Sequence, residues 1–438
     1  MKNKYDKLVF QNPLLCESYE VYHHRSGLDI YVFPKKMSTT YAIFGTRYGS
    51  LHNTFRLATE PKMMTVPDGI AHFLEHKLFM AEDGSDAFER FSEYGADANA
   101  YTSFNKTAYL FSCTDRFEES LGELLDFVTH PYFPKEAVES EVGIISEEIR
   151  MYDDNPADRC FYGLLEAMYE HHSVRRNICG SVASIRKITP ELLYRCYECF
   201  YQLSNMALIV CGDVDAETVL AIADRHLPKE TTATEVIRKN ENESEPPHVF
   251  CAEHVEHMQV SKPIFSIGFK DTDIPRDPEK RGRKDAAMAI LGEMLFSRAG
   301  ELYSSLFERE LISPAFAYDY TISEAFAYHS LAGEADDPRA VLGEIRNYLK
   351  KLEKNGLSRE DFERARRVMY AEFVKSFDST DSIANNLFTF ICEDGELLHY
   401  ADILMSITFE EVSAYFPSVF REECTALSMI MPLSTKNA

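Results

Sequence analysis

Hydrophobic and polar positions fall into two rhythms along the chain. Short β-branched and aromatic runs predict strands at Asp29–Phe33, Tyr41–Phe44, Ala108–Cys113 and Met206–Cys211. Apolar residues three and four apart predict helices over Gly69–Phe79, Asp86–Tyr94, Phe117–Val128 and Ala137–Tyr152. The scheme returns in the second half, with a strand at Ile264–Phe269 and helices over Lys284–Phe296, Pro338–Lys350 and Arg359–Phe373. Strands interrupted by helices, without strict alternation, predict an α+β domain that occurs twice.

Landmarks support the duplication. Lys77-Leu78-Phe79, Phe88-Glu89-Arg90, Ala100-Tyr101 and Leu121-Gly122-Glu123-Leu124 are matched by Met294-Leu295-Phe296, Phe307-Glu308-Arg309, Ala317-Tyr318 and Leu342-Gly343-Glu344-Ile345. The matches keep their order at offsets of 217 to 221 residues. Between the halves runs KETTATEVIRKNENESEPP, a polar stretch that ends in a double proline. It reads as a linker over 229–247, giving an N-terminal domain over 1–228 and a C-terminal one over 248–438.

Charge narrows the functions. With 46 basic against 71 acidic residues the net charge is -25, a field that repels phosphate backbones and anionic lipid. Nucleic-acid and membrane partners are not expected. No run approaches the roughly 18 to 20 apolar residues of a membrane span, and the N-terminus has no secretory pattern. Ten scattered cysteines in a chain with 45% hydrophobic residues read as reduced, mostly buried thiols. A cytoplasmic protein is expected.

Candidate chemistry centres on His72-Phe73-Leu74-Glu75-His76. On a helix His72 and His76 lie one turn apart on one face, which Glu75 shares. Two imidazoles are good Zn²⁺ ligands, and an adjacent carboxylate can take a proton from metal-activated water. The order is the inverted zinc-protease motif H-x-x-E-H. A third ligand is then required. Glu141 and Glu148, seven apart on a predicted helix whose apolar stripe is Val142, Ile145 and Ile149, share a face, whereas Glu147 points towards solvent. Helical geometry does not choose between Glu141 and Glu148.

The glycine-led H-x-x-E-H helix, the E-x(6)-E helix some seventy residues on, and its run into Arg150-Met151-Tyr152-Asp153-Asp154-Asn155-Pro156 resemble the pitrilysin (M16) family of zinc peptidases. The likeness is to bacterial short-chain members with one catalytic and one decayed half. GADANAYTSFNKTAY (Gly95 to Tyr109), HSVRRNICG (His172 to Gly180) and SNMALIVCGDV (Ser204 to Val214) extend it along the chain. The resemblance implies two homologous α/β-sandwich halves forming a clamshell, and one Zn²⁺ per chain. It implies Glu148 as third ligand, Glu141 as a carboxylate orienting a zinc histidine, and Glu75 as general base. It also implies a substrate strand added beside Asn99 and Ala100, with Tyr318 and Arg309 reaching the scissile carbonyl. The family's usual arginine, seven residues before the tyrosine, is Leu311 in this chain. Where the second half should repeat His72, Glu75 and His76 it has Ala289, Gly292 and Glu293, with Tyr370 opposite Glu148.

The function expected is hydrolysis of peptides or unfolded segments. The alternatives are one subunit of a heterodimer with a related non-catalytic chain, and a non-catalytic peptide-binding protein; a homodimer is a further possibility. Other motifs carry less. His254-x-x-His257 lacks an acid to complete a metal set and reads as an alternating strand; Cys196-x-x-Cys199 lacks a second pair and reads as a helix. The doublets His23-His24 and His171-His172 read as surface residues.

Overall fold

The computed structural model describes residues 5–229, 233–240 and 244–433. They cluster into two compact units. One is drawn from Met1–Ile149, Asn177–Lys239 and Val374–His399, the other from Arg150–Arg176, Asn240–Phe373 and Tyr400–Ala438.

The first unit holds β1 (Asp6–Asn12), β2 (Glu17–His23), β3 (Asp29–Pro34), β4 (Thr40–Thr46), β5 (Thr54–Leu57), β6 (Met64–Thr65), β7 (Asp97–Thr102), β8 (Thr107–Cys113), β9 (Met206–Gly212) and β10 (Val236–Arg238). Seven of these form a sheet in the order β1-β2-β3-β9-β4-β8-β7. Its central strand β9, MALIVCG, is buried at every residue, as a strand covered on both faces must be. Among the described residues the edge strand β7 pairs only with β8. The second unit holds β11 (Glu253–Met258), β12 (Ile264–Asp271), β13 (Ala317–Ile322), β14 (Ala327–Glu334) and β15 (Thr425–Pro432), in the order β11-β15-β12-β14-β13. This order repeats β3-β9-β4-β8-β7, and β11 runs parallel to β15 as β3 does to β9. The fold is therefore α+β with two homologous halves.

The helices that matter to the site are α1 (Ile70–Leu78), α2 (Ala87–Tyr94), α3 (Phe117–Thr129), α4 (Lys135–Asp154) and α5 (Pro156–Met168). Asn155 separates α4 from α5 and caps the latter through Ala157 N–H, with Pro156 in the first turn, where it displaces no hydrogen bond.

The units do not follow the two halves of the sequence. Helix α5 comes from the first half yet packs on β12 and β15 of the second unit. The helix Thr380–Cys392 comes from the second half yet packs on β4 and β9 of the first. Each contact needs a strand without a side chain. A Cβ on Gly45 would stand 2.2 Å from the Phe388 ring, and one on Gly268 would stand 2.5 Å from Met168 Sδ. These glycines occupy equivalent strands, 223 residues apart. Both serve close approach of a helix to a sheet.

The polar stretch at 229–247 is more than a tether. Val236–Arg238 pairs with β5 as a short outer strand. Glu245 is buried: its Oε1 accepts from Lys270 Nζ (2.6 Å), and its Oε2 accepts from the N–H groups of His171 and His172 (2.8 Å each). Lys270 is 1% exposed and also donates to the Met168, Pro246 and His248 carbonyls. Glu245→Gln strands that ammonium, and urea unfolding is expected to show a loss of about 3–5 kcal/mol.

Two histidines read as surface residues are buried. His24 bonds Ser26 and Asp224. His172 accepts from Val174 N–H and donates to the Ala325 carbonyl, satisfying a turn that solvent does not reach. None of the ten cysteines is in a disulfide. Among the described residues no helix is long and apolar enough to cross a membrane.

Candidate metal centre

Helix α1 begins at Gly69, whose φ of 90° lies in the left-handed region that favours glycine. A Cβ there would also stand 2.4 Å from the Cys179 carbonyl oxygen, so the start of α1 is pinned to the loop ending at Gly180. Phe73 and Leu74 are fully buried and anchor the helix, which turns His72, Glu75 and His76 towards α4. On α4, Val138, Ile145 and Ile149 face the core. Glu141 and Glu148 lie on the side facing α1, and Glu147 is exposed.

Four side chains converge. His72 Nε2 lies 3.5 Å from Glu148 Oε1, and His76 Nε2 lies 3.4 Å from Glu148 Oε2. A tetrahedral ion with bonds of about 2.0–2.1 Å sets its ligand atoms about 3.3–3.4 Å apart. Each imidazole Nε2 stands at about that distance from one oxygen of Glu148, and two imidazoles with a carboxylate are a donor set that suits zinc. His76 Nδ1 bonds Glu141 Oε1 at 3.2 Å, and Glu141 Oε2 accepts from the buried Lys77 Nζ at 2.9 Å. Donation from Nδ1 to Glu141 leaves the Nε2 lone pair for a ligand bond. Glu75, 7% exposed, accepts from the Thr102 hydroxyl at Oε2 (2.6 Å).

The electrostatics follow from this packing. Burial raises the Glu75 carboxyl above its usual range, against the opposing pull of His72 and Thr102. Histidine hydrogen bonds hold Glu148 well below the ordinary carboxylate range. Burial opposes the charged form of His76, but Glu141 and Glu148 outweigh it and raise the imidazole to about 9. Metal-free protein at neutral pH therefore keeps a proton on His76 that an incoming ion must displace. Metal affinity is expected to rise at least about tenfold per pH unit between neutral pH and about 9, as equilibrium dialysis across pH would show. The same raised value stabilises metal-free protein below about 6.5, a contribution lost as pH climbs through about 9.

The second unit has filled the corresponding place. The Tyr318 ring lies over Gly292, where a Cβ would come within 3.0 Å of it. Its hydroxyl donates to Glu293 Oε2 at 2.6 Å, and Arg364 donates to Glu293 Oε1 at 2.8 Å. An ion pair thus joins the helices Pro278–Phe296 and Arg359–Lys375, as His76 and Glu141 join α1 and α4. Tyr318 is engaged inside its own unit. Arg309 makes a two-pronged pair with Glu344 on the surface. Asn99 and Ala100 lie on the edge strand β7, which ends at Thr102 beside Glu75. His254 bonds Glu256, itself paired with Arg159, and Cys196 and Cys199 are buried in a helix.

Thr102, Lys77 and Cys179 were not singled out by motif, and each touches the site. Lys77 directly follows the motif and was legible in principle. Thr102 and Cys179 arrive from a strand and a loop, where only tertiary packing brings them in.

The fold that carries this arrangement is that of a peptidase family. The model of the insulinase family, peptidase family M16, matches residues 65–182, and that of the M16 inactive domain matches residues 187–369. The chain is 40% identical to the uncharacterized zinc protease YmfH of Bacillus subtilis (strain 168), over 93% of this chain and 94% of that one. Among solved structures, a putative M16-like peptidase from Alicyclobacillus acidocaldarius superimposes at a TM-score of 0.89 with 32% identity, covering 99% of this chain and 100% of that one. The periplasmic protease PqqL of Escherichia coli matches at a TM-score of 0.72 and 18% identity, covering 94% of this chain but 47% of PqqL. The chain belongs to the M16 peptidase family.

Proposed function

We propose that this protein is a zinc-dependent peptidase that hydrolyses peptides or unfolded segments. One observation carries the reading: two imidazoles from α1 each stand within 3.5 Å of one carboxylate from α4, with a second buried carboxylate alongside. His72, His76 and Glu148 would hold the ion. Bound there, zinc supplies a Lewis acid that polarises the scissile carbonyl and makes water nucleophilic near neutral pH. Glu75 does the proton work. Thr102 fixes Oε2, so Oε1 is left to accept the proton from the attacking water and return it to the leaving amine. Its raised pKa suits both transfers. Glu141, steadied by Lys77, orients His76. The open edge of β7 at Asn99 and Ala100 can pair with an extended peptide and lead it past Thr102 towards Glu75, giving affinity through main-chain bonds and loose sequence preference. The polar ends of Tyr318 and Arg309 bond Glu293 and Glu344, so a part for either at the scissile carbonyl would require those bonds to be exchanged for ones to the substrate.

Purified chain should contain one zinc and cleave a quenched peptide, lose that activity on chelation, and regain it with added zinc. Cleavage that survives complete metal removal would rule the reading out.

A second reading concerns the working assembly. PqqL carries about twice this chain's length, and the second unit has lost the motif. The active particle would then pair two chains, either two copies or this chain with a related non-catalytic one. Sedimentation alongside the peptide assay decides it, since a monomer with full activity would leave the pairing without support.

A further inference from the structure

The loop that packs against the start of α1 also delivers a thiol. Cys179 is 5% exposed, and its Sγ lies 3.9 Å from His72 Nε2. One ligand atom each from His72, Glu148 and Cys179 can be chosen so that all lie within 4.8 Å of one another. Bonds of about 2.3 Å to sulfur and about 2.0–2.1 Å to nitrogen put the two atoms about 3.6 Å apart around a tetrahedral ion. The observed separation is within a few tenths of an ångström of that. Two glycines hold the thiol in place. Gly69 would clash with the Cys179 carbonyl if it carried a Cβ, and Gly180, at φ 73°, would clash with the Asp68 carbonyl. Cys179 N–H is tied to Asn177 Oδ1 at 2.9 Å. The backbone that carries the sulfur is thus held against the start of α1.

We propose that Cys179 is a fourth protein ligand of the metal, completing a His₂-Glu-Cys shell in the resting protein. The proposal rests on the zinc reading above. On binding, the S–H bond breaks, its proton goes to solvent, and a sulfur–metal bond forms. A site with four protein ligands is closed, so the sulfur–metal bond must break, the sulfur regaining a proton from solvent, before the water that Glu75 serves or the scissile carbonyl can take its place. The inverted motif alone would leave that position open.

Cobalt(II) is the probe, because a thiolate ligand gives it an intense near-ultraviolet charge-transfer band that nitrogen and oxygen donors do not. The full-length chain loaded with one cobalt should show the band. Cys179→Ala should still bind one cobalt but lose the band, and its zinc affinity should fall at least about ten- to a hundred-fold, the cost of losing even an outer partner of a ligand. X-ray absorption of the unaltered zinc-loaded chain gives a check that needs no variant: a sulfur neighbour at about 2.3 Å is expected. One bound metal with no sulfur signal overturns the proposal, leaving the thiol a hydrogen-bond partner of His72 and the three-ligand reading intact. No bound metal in the unaltered chain overturns both.

Discussion

Glu75→Gln is expected to lower peptide hydrolysis by at least about 10²–10⁴-fold while one zinc per chain remains. The amide keeps the size of the side chain and can still accept from Thr102, so α1 and its two imidazoles should stay where they are. The variant lacks a site that can take a proton and give it back. Burial makes this loss severe, because a carboxyl 7% exposed has little solvent beside it to substitute as base. Activity near wild type in a zinc-loaded Glu75→Gln protein would move the base elsewhere, and the remaining acids around α4 would need testing in turn.

Glu148→Gln should act on the metal itself. Both Nε2 atoms face this one carboxylate, and removing its charge weakens a ligand as well as the balance that favours cations in the pocket. Zinc affinity is expected to fall by more than the roughly ten- to hundred-fold typical of losing an outer partner, whereas Glu141→Gln should fall within that range. Equilibrium dialysis separates the two, with circular dichroism confirming that each variant is folded. Full zinc retention by Glu148→Gln would transfer the third ligand to Glu141 or Glu147.

The histidine pair was legible because a helix is a local object. His72 and His76 share a face through backbone periodicity alone, and Glu141 and Glu148 share one for the same reason. Which of those glutamates lies within reach of both imidazoles depends on the approach of α1 to α4, which no local pattern contains. Thr102 was invisible for a similar reason. Its strand could be read, but that strand's end lying beside Glu75 could not. The main helices and strands stood out as periodic runs. The strands Asp6–Asn12 and Glu17–His23, at the margin of their sheet, did not, because half-exposed strands mix polar and apolar residues too evenly. Composition misled at 229–247, where low hydrophobicity suggested a tether and hid the pairing of Val236–Arg238 and the buried Glu245. The repeat was visible in short landmarks, yet the paired glycines at 45 and 268 acquire meaning only once Phe388 and Met168 are seen above them.

That reciprocal trade of helices makes the molecule hard to divide. Cutting the chain at the polar stretch would yield two fragments, each short of the segment that roofs its own sheet and each carrying an apolar rod suited to the other. Neither should be soluble when made alone. Made together they are matched halves of a lock, so a gene split at this point could be used as a reporter that regains its fold only when both products meet.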